Sequence, residues 1–116
     1  MNWHPLTELS QIDHLLEESQ QQAVVVFKHS TRCSISSTAL SRLERQWNLA
    51  DSQVKAYFLD LIRHRNISNR LAEVFDVVHE SPQLLFIHKG KCAYHSSHLA
   101  IDAQEVGALY TQFSAT

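Results

Sequence analysis

At 116 residues, with 44% hydrophobic and 19% charged side chains, the chain fits one folded domain with an ordinary core and no need of staples. A net charge of −2 with scattered lysines and arginines argues against nucleic-acid binding, and no run approaches the length that spans a bilayer, so no membrane association is expected. Two cysteines are too few for a disulfide scaffold, and with no signal-peptide pattern at the start a cytoplasmic location is expected.

Trp3 to Leu6 is a short opening strand, which Pro5 restricts to an edge or a strand start. Leu9, Ile12, Leu15 and Leu16 recur at helical spacing and predict a helix over residues 8 to 19. The polar "QQQ" at 20 to 22 marks a turn. "AVVVF", 23 to 27, is a continuous β-branched run that suits a strand buried on both faces, at the centre of a parallel sheet. Ile35, Ala39, Leu40, Leu43 and Trp47 line one face of a second helix, expected to end near Asn48. "VKAYFLDL", 54 to 61, reads as the next strand. Ile67, Leu71, Val74, Phe75 and Val78 mark a third helix. "QLLFIH", 83 to 88, is a strand, "KGK" a hairpin turn, and "CAYHS", 92 to 96, its partner strand. Asp102 and Glu105 have the spacing of an acidic cap with a return carboxylate. They open a last helix with Val106, Leu109, Tyr110 and Phe113 on its inner face. The order is a helix followed by β-α-β-α-β-β-α, a single α/β domain over residues 1–116 with no repeat or linker. The early βαβ unit requires parallel strands, and the late tight turn an antiparallel hairpin.

The polar stretch "KHSTRCSIS", 28 to 36, joins the central strand to the second helix and carries one thiol, Cys33. The first amides of a helix have no internal partner, and the macrodipole adds about half a positive charge there. Both favour thiolate over thiol. Arg32 adds a full charge beside it, and His29 could add another when protonated. A loop at the carboxyl end of a central parallel strand is also where α/β sheets bind ligands. A buried, inert cysteine is the plainer reading, but the all-polar neighbours Lys28, His29, Ser30, Thr31, Arg32 and Ser34 favour a reactive one. In Cys-x-x-Cys sites the second thiol closes an internal disulfide. Ser36 cannot, although its hydroxyl can donate to the Cys33 sulfur or cap the helix. A mixed disulfide on Cys33 must then wait for a thiol from outside. Pro82, immediately before a strand, signals a turn; a cis bond there would leave the Ser81 backbone open to pair with an extended substrate.

These features resemble the thioredoxin superfamily and, more narrowly, the monothiol bacilliredoxins, the YtxJ-like family. The resemblance runs through "WHPLT", "FKHSTRCSIS", "YFLDLI", "ISNRLAEVF", "VVHESPQLLFI" and "SHLAI", of which the active stretch and "HESPQ" are the most specific. The family pattern usually has proline after the cysteine, where this chain has Ser34. The resemblance implies a thioredoxin-like fold with a mixed four-stranded core sheet of order 2-1-3-4 flanked by helices, with the short N-terminal strand as an addition. It implies that Cys33 attacks the mixed disulfide between a client protein and a low-molecular-weight thiol, bacillithiol where the host makes it. No tightly bound cofactor is implied, the small thiol being a co-substrate. Pro82 takes the place of the superfamily's cis proline. The expected catalytic residues are Cys33 and Ser36, and the expected substrate-binding residues Lys28, Arg32, Ser81 and Pro82. Thiolated client proteins and the small thiol are the expected partners of a monomer.

Lys28 and Arg32 could hold the carboxylate of a small thiol, as point charge and fork, or be solvated loop charges. Strand alternation points Cys92 the same way as Tyr94 and Ser96, on an edge strand away from Cys33, as packing. Cys92, His95 and His98 match no strong zinc pattern, so no metal site is expected. Arg63, His64 and Arg65 read as loop. Two other functions fit a Cys-x-x-Ser site: a glutaredoxin-like module binding an iron–sulfur cluster with a small thiol, although Ser34 and Ile35 replace that site's glycine and phenylalanine, and a catalytically inactive adaptor.

Overall fold

A computed structural model describes residues 1–114. The elements in chain order are β1 (Trp3–Pro5), α1 (Gln11–Glu18), β2 (Ala23–His29), α2 (Ser34–Gln46), β3 (Val54–Asp60), α3 (Arg65–Phe75), β4 (Gln83–His88), β5 (Lys91–Ser97), a single 3₁₀ turn (His98–Ala100) and α4 (Ala103–Ser114). The sheet runs β1-β3-β2-β4-β5. Its last four members keep the expected core order. The opening strand is a full fifth member, pairing in parallel with β3 through Trp3–Ala56, His4–Tyr57 and Pro5–Phe58. β2 and β3 are parallel, whereas β4 runs against both β2 and β5.

β2 holds the centre because its apolar run meets helices on both sides, and all seven of its residues are buried. One face packs Val24, Val26, Leu59, Leu85 and Ile87 against Ile12 and Leu15 of α1 and Ile67, Leu71 and Phe75 of α3. The other packs Val25, Phe27, Ala56, Leu84 and Phe86 against Ala39 and Leu43 of α2 and Val106 of α4. β4 turns into β5 through Lys89 and Gly90, whose φ values of 50° and 78° give the two left-handed residues of a two-residue hairpin loop.

Four sequence expectations shift. The first helix starts at Gln11 rather than residue 8, because the Gln11 side-chain carbonyl accepts the Thr7 and Glu8 amides and holds them in a turn. Leu9 is left exposed. In α2, Ile35 is exposed and Ser36 is fully buried beside Ala39 and Leu43. Helical geometry at 100° per residue puts position 36, not 35, in the middle of that stripe. Val78 is 85% exposed, because α3 closes at Asp76 in the left-handed region, with φ 53°. That reversal sends Val77 inward instead. On β5, a register irregularity opposite Phe86 and Ile87 pairs Tyr94 with Phe86 but Cys92 with Ile87. This bulge puts Cys92 on the α1/α3 face and Tyr94 on the α2/α4 face, against the simple alternation expected. The Asp102 half of the final cap is present, its carboxylate accepting the Gln104 amide at 2.9 Å. Among the described residues, no helix is long and apolar enough to cross a membrane.

Candidate active site

Cys33 is the N-cap of α2, with extended backbone (φ −116°, ψ 118°) and no capping hydrogen bond from its side chain. Its carbonyl accepts the Ser37 amide at 3.2 Å, the first bond of the helix. The amides of the next residues are among those that helix geometry leaves without an internal partner. The residue is partly exposed. Arg32 beside it is exposed.

The approach to Cys33 differs from the expected polar loop. The strand continues through Lys28 and His29, which pair with Leu59 and Asp60 of β3. Alternation sends the two side chains to opposite faces. Lys28 is fully buried, with its ammonium donating to the Ser68 carbonyl of α3 at 3.2 Å and lying 3.4 Å from His79 Nδ1. Burial pushes its pKa down to about 8, partly offset by the charge of Cys92 when ionised. Lys28 is therefore a core lysine, neither a solvated loop charge nor a surface grip for a small thiol's carboxylate. It lies under the loop that leads to Pro82. That loop is also held by Gln83, whose amide donates to the Val78 carbonyl at 3.0 Å.

His29 is buried on the other face, against Phe27 and Phe58. Burial lowers its pKa, against the pull of Asp60 and Glu44. The imidazole is thus biased toward neutrality and is not the added cation expected. Its Nδ1 lies 2.8 Å from the Ser36 hydroxyl, which also accepts the Ser30 amide at 3.0 Å. The Ser30 carbonyl in turn accepts the Cys33 amide at 3.2 Å. Ser36 therefore ties the loop to the helix, its hydroxyl engaged with His29 and the Ser30 amide where the sequence left open a bond to the Cys33 sulfur or a helix cap. Local sequence hides this pairing, because His29 reads as part of the polar loop whereas it is the last residue of β2. The signal was alternation carried two residues past the apolar run, through Val25 and Phe27 to His29.

The Ser81–Pro82 peptide is cis. Lys28 pairs with Gln83 across β2 and β4, so Pro82 sits at the same end of the sheet as the loop bearing Cys33. The Pro82 carbonyl accepts the His98 amide at 3.0 Å. The Ser81 hydroxyl and the Gln83 side-chain carbonyl are buried and have no hydrogen-bond partner among the described residues. His79 is lowered in pKa by burial first, then by the charges of Lys28 and Arg65, against the pull of Glu80; Arg65, expected in a loop, is the first residue of α3.

Cys92 stands apart. It pairs with Ile87, which pairs with Val24. That level lies five residues below His29, about 16 Å down the strand, well outside the roughly 7 Å separation of Cα atoms that a disulfide tolerates. Its sulfur donates to the Tyr94 carbonyl at 3.3 Å, and burial pushes its pKa up. This agrees with a packing role. Among the described residues, no group of three or more His, Cys, Asp or Glu side chains is placed to hold a metal ion.

Comparison with known proteins agrees with this geometry. Among solved structures, a candidate oxidoreductase with a thioredoxin fold is 26% identical and superposes with a TM-score of 0.75, covering 91% of each chain. The thioredoxin of Malassezia sympodialis, Mala s 13, is 16% identical with a TM-score of 0.73, covering 96% of this chain and 90% of that one. The Fasciola hepatica thioredoxin is 15% identical with a TM-score of 0.68, covering 94% and 97%. The latter two show the fold alone. The monothiol bacilliredoxin BrxC family matches residues 4–106, nearly the whole chain. With a thioredoxin fold and a partly exposed cysteine at a helix start, the chain belongs to the monothiol bacilliredoxin BrxC family and is a thiol oxidoreductase.

Proposed function

We propose that the protein reduces mixed disulfides between client proteins and a low-molecular-weight thiol of the bacillithiol kind, through Cys33. The observation that carries this is the isolation of Cys33: it opens α2 partly exposed, Ser36 stands one turn on, and Cys92 lies far down the other face of the sheet. A thiol so placed can accept a sulfur from outside but cannot close an internal bridge.

The Cys33 thiolate attacks the small thiol's sulfur in the client's mixed disulfide. The old S–S bond breaks, a new one forms between Cys33 and the small thiol, and the client departs as a thiolate that takes a proton from water. Cys33 is oxidised and the client cysteine reduced. A second small-thiol thiolate then attacks the adduct. It frees Cys33 and leaves as the symmetric small-thiol disulfide. The amides that open α2 have no helical partner and are available to charge that develops on sulfur during the two exchange steps. Exposed Arg32 supplies a guanidinium fork for a carboxylate of the small thiol. The Ser81 backbone, before cis Pro82, offers pairing groups to the client strand.

Incubating a bacillithiol-loaded client with the protein tests this reading. Expected are release of the reduced client and a small-thiol adduct at Cys33 by mass spectrometry. Release that is absent, or equal with a Cys33→Ala variant, overturns it. A glutathione-loaded client run in parallel reads which small thiol is preferred.

A further inference from the structure

We propose that His29 is a positioning residue for the chemistry of Cys33: its Nδ1 accepts a hydrogen bond from the Ser36 hydroxyl and so makes Ser36 the latch of the loop that carries the nucleophile. The inference deepens the proposed function and rests on Cys33 as the reacting thiol. It comes from a hydrogen-bond inventory. Ser36 is fully buried and has one proton to donate. Its oxygen already accepts the Ser30 amide, and the partner available for its proton among the described residues is His29 Nδ1. The pairing is complete when His29 carries its proton on Nε2 and leaves Nδ1 as an acceptor. The imidazole sits in a site that favours this neutral form, stacked on Phe27 and beside Phe58, with Asp60 of β3 and Glu44 of α2 as the charged groups that act on it.

The link continues to the nucleophile. Ser30 gives its amide to Ser36 and its carbonyl to the Cys33 amide. The His29 carbonyl accepts the Leu61 amide at 3.0 Å, which anchors the near end of the loop to the chain leaving β3. Four residues between His29 and α2 are thus pinned at both ends and across the middle. Neither His29 nor Ser36 needs to touch a substrate. Their effect is on the direction of the Cys33 sulfur, which must enter in line with the disulfide it attacks.

The test uses the full chain in a Cys92→Ala background, so that Cys33 is the single thiol. The probe is an aromatic disulfide that releases a coloured thiolate when Cys33 attacks it. Rates are compared at equal thiolate content and alongside alkylation by iodoacetamide, a small reagent that also reacts in line but can turn to meet the sulfur from whichever side is open. His29→Leu is expected to slow disulfide exchange about tenfold, the factor that one buried hydrogen bond sets, and to slow alkylation much less. His29→Asn places an amide oxygen near the Nδ1 position and is expected to recover most of the lost rate. Exchange by His29→Leu at the parent rate overturns the proposal, as does an Asn variant as slow as the Leu variant in a folded protein. If His29→Leu fails to fold, Ser36→Ala tests the same link, and parental exchange by that variant overturns the proposal equally. This probe needs no client. Loss of client release with the His29 effect intact therefore counts against the proposed substrate and leaves the positioning role standing.

Discussion

Consecutive residues at the end of β2 send two titratable groups to opposite faces of the sheet, and the two faces treat them differently. On the α1/α3 face, Lys28 keeps an ammonium in the core, against desolvation, by reaching the Ser68 carbonyl and His79. On the α2/α4 face, His29 is biased toward its neutral form and makes one hydrogen bond to a buried hydroxyl. The first braces the loop leading to Pro82; the second braces the loop leading to Cys33. A buried charge is costly unless paired, whereas a buried neutral donor–acceptor pair is cheap once made and expensive to break. The contrast shows how a thioredoxin-type sheet can fix both walls of a reactive corner with different chemistry.

The largest expected effect separates the faces by reactivity. Cys33→Ala should drop client release to the uncatalysed background, and Cys92→Ala, on the Lys28 face, should leave it at the parent level. Loss of release in the Cys92 variant would break the comparison.

The next effect is thermodynamic. The Lys28 pKa is lowered in the folded protein to about 8, from about 10.4 in an unfolded chain. Below pH 8 both states hold the proton and the cost is constant. Between pH 8 and 10.4 the unfolded chain binds more protons, so stability rises with pH. The rise from pH 8 to pH 10 should be about 2 kcal/mol by urea titration, and a Lys28→Met variant should lack it.

On the opposite face, Ser36→Ala should cost about 1–3 kcal/mol, because it strands the buried Ser30 amide and removes the donor to His29. Ser37→Ala, exposed at the following position, should stay within about 0.5 kcal/mol. Equal costs would deny Ser36 its latch. The smallest effect belongs to Val78→Ser, also within about 0.5 kcal/mol because Val78 points to solvent. A larger loss would mean that Val78 shares the core of the Lys28 face with Val77.

Much of the architecture was readable from pattern alone. β2, β3 and β4 follow apolar runs whose length and flanks leave few alternatives, and Lys89–Gly90 sits where the hairpin turn was expected. Cys33 at the start of α2 and Pro82 before β4 were found from position and residue type. What escaped were polar side chains inside regular structure. Polarity at Lys28 and His29 suggested that the strand had ended, yet pairing with Leu59 and Asp60 carries it on. Polar partners such as buried Ser68 and the more exposed His79 come from α3 and the loop beyond it, and local sequence carries no trace of such a meeting. The Cys92 bulge likewise follows from pairing with β4, which single-strand alternation cannot foresee.

The two outer strands have a consequence for how the protein behaves among copies of itself. β1 is three residues long and includes Pro5, which lacks an amide hydrogen, while β5 is bulged midway. A neighbouring chain seeking to extend the sheet finds a stub on one flank and a broken ladder on the other, both poor templates for open-ended stacking. An enzyme that must keep one thiol uncovered thus keeps its backbone flanks resistant to adhesion.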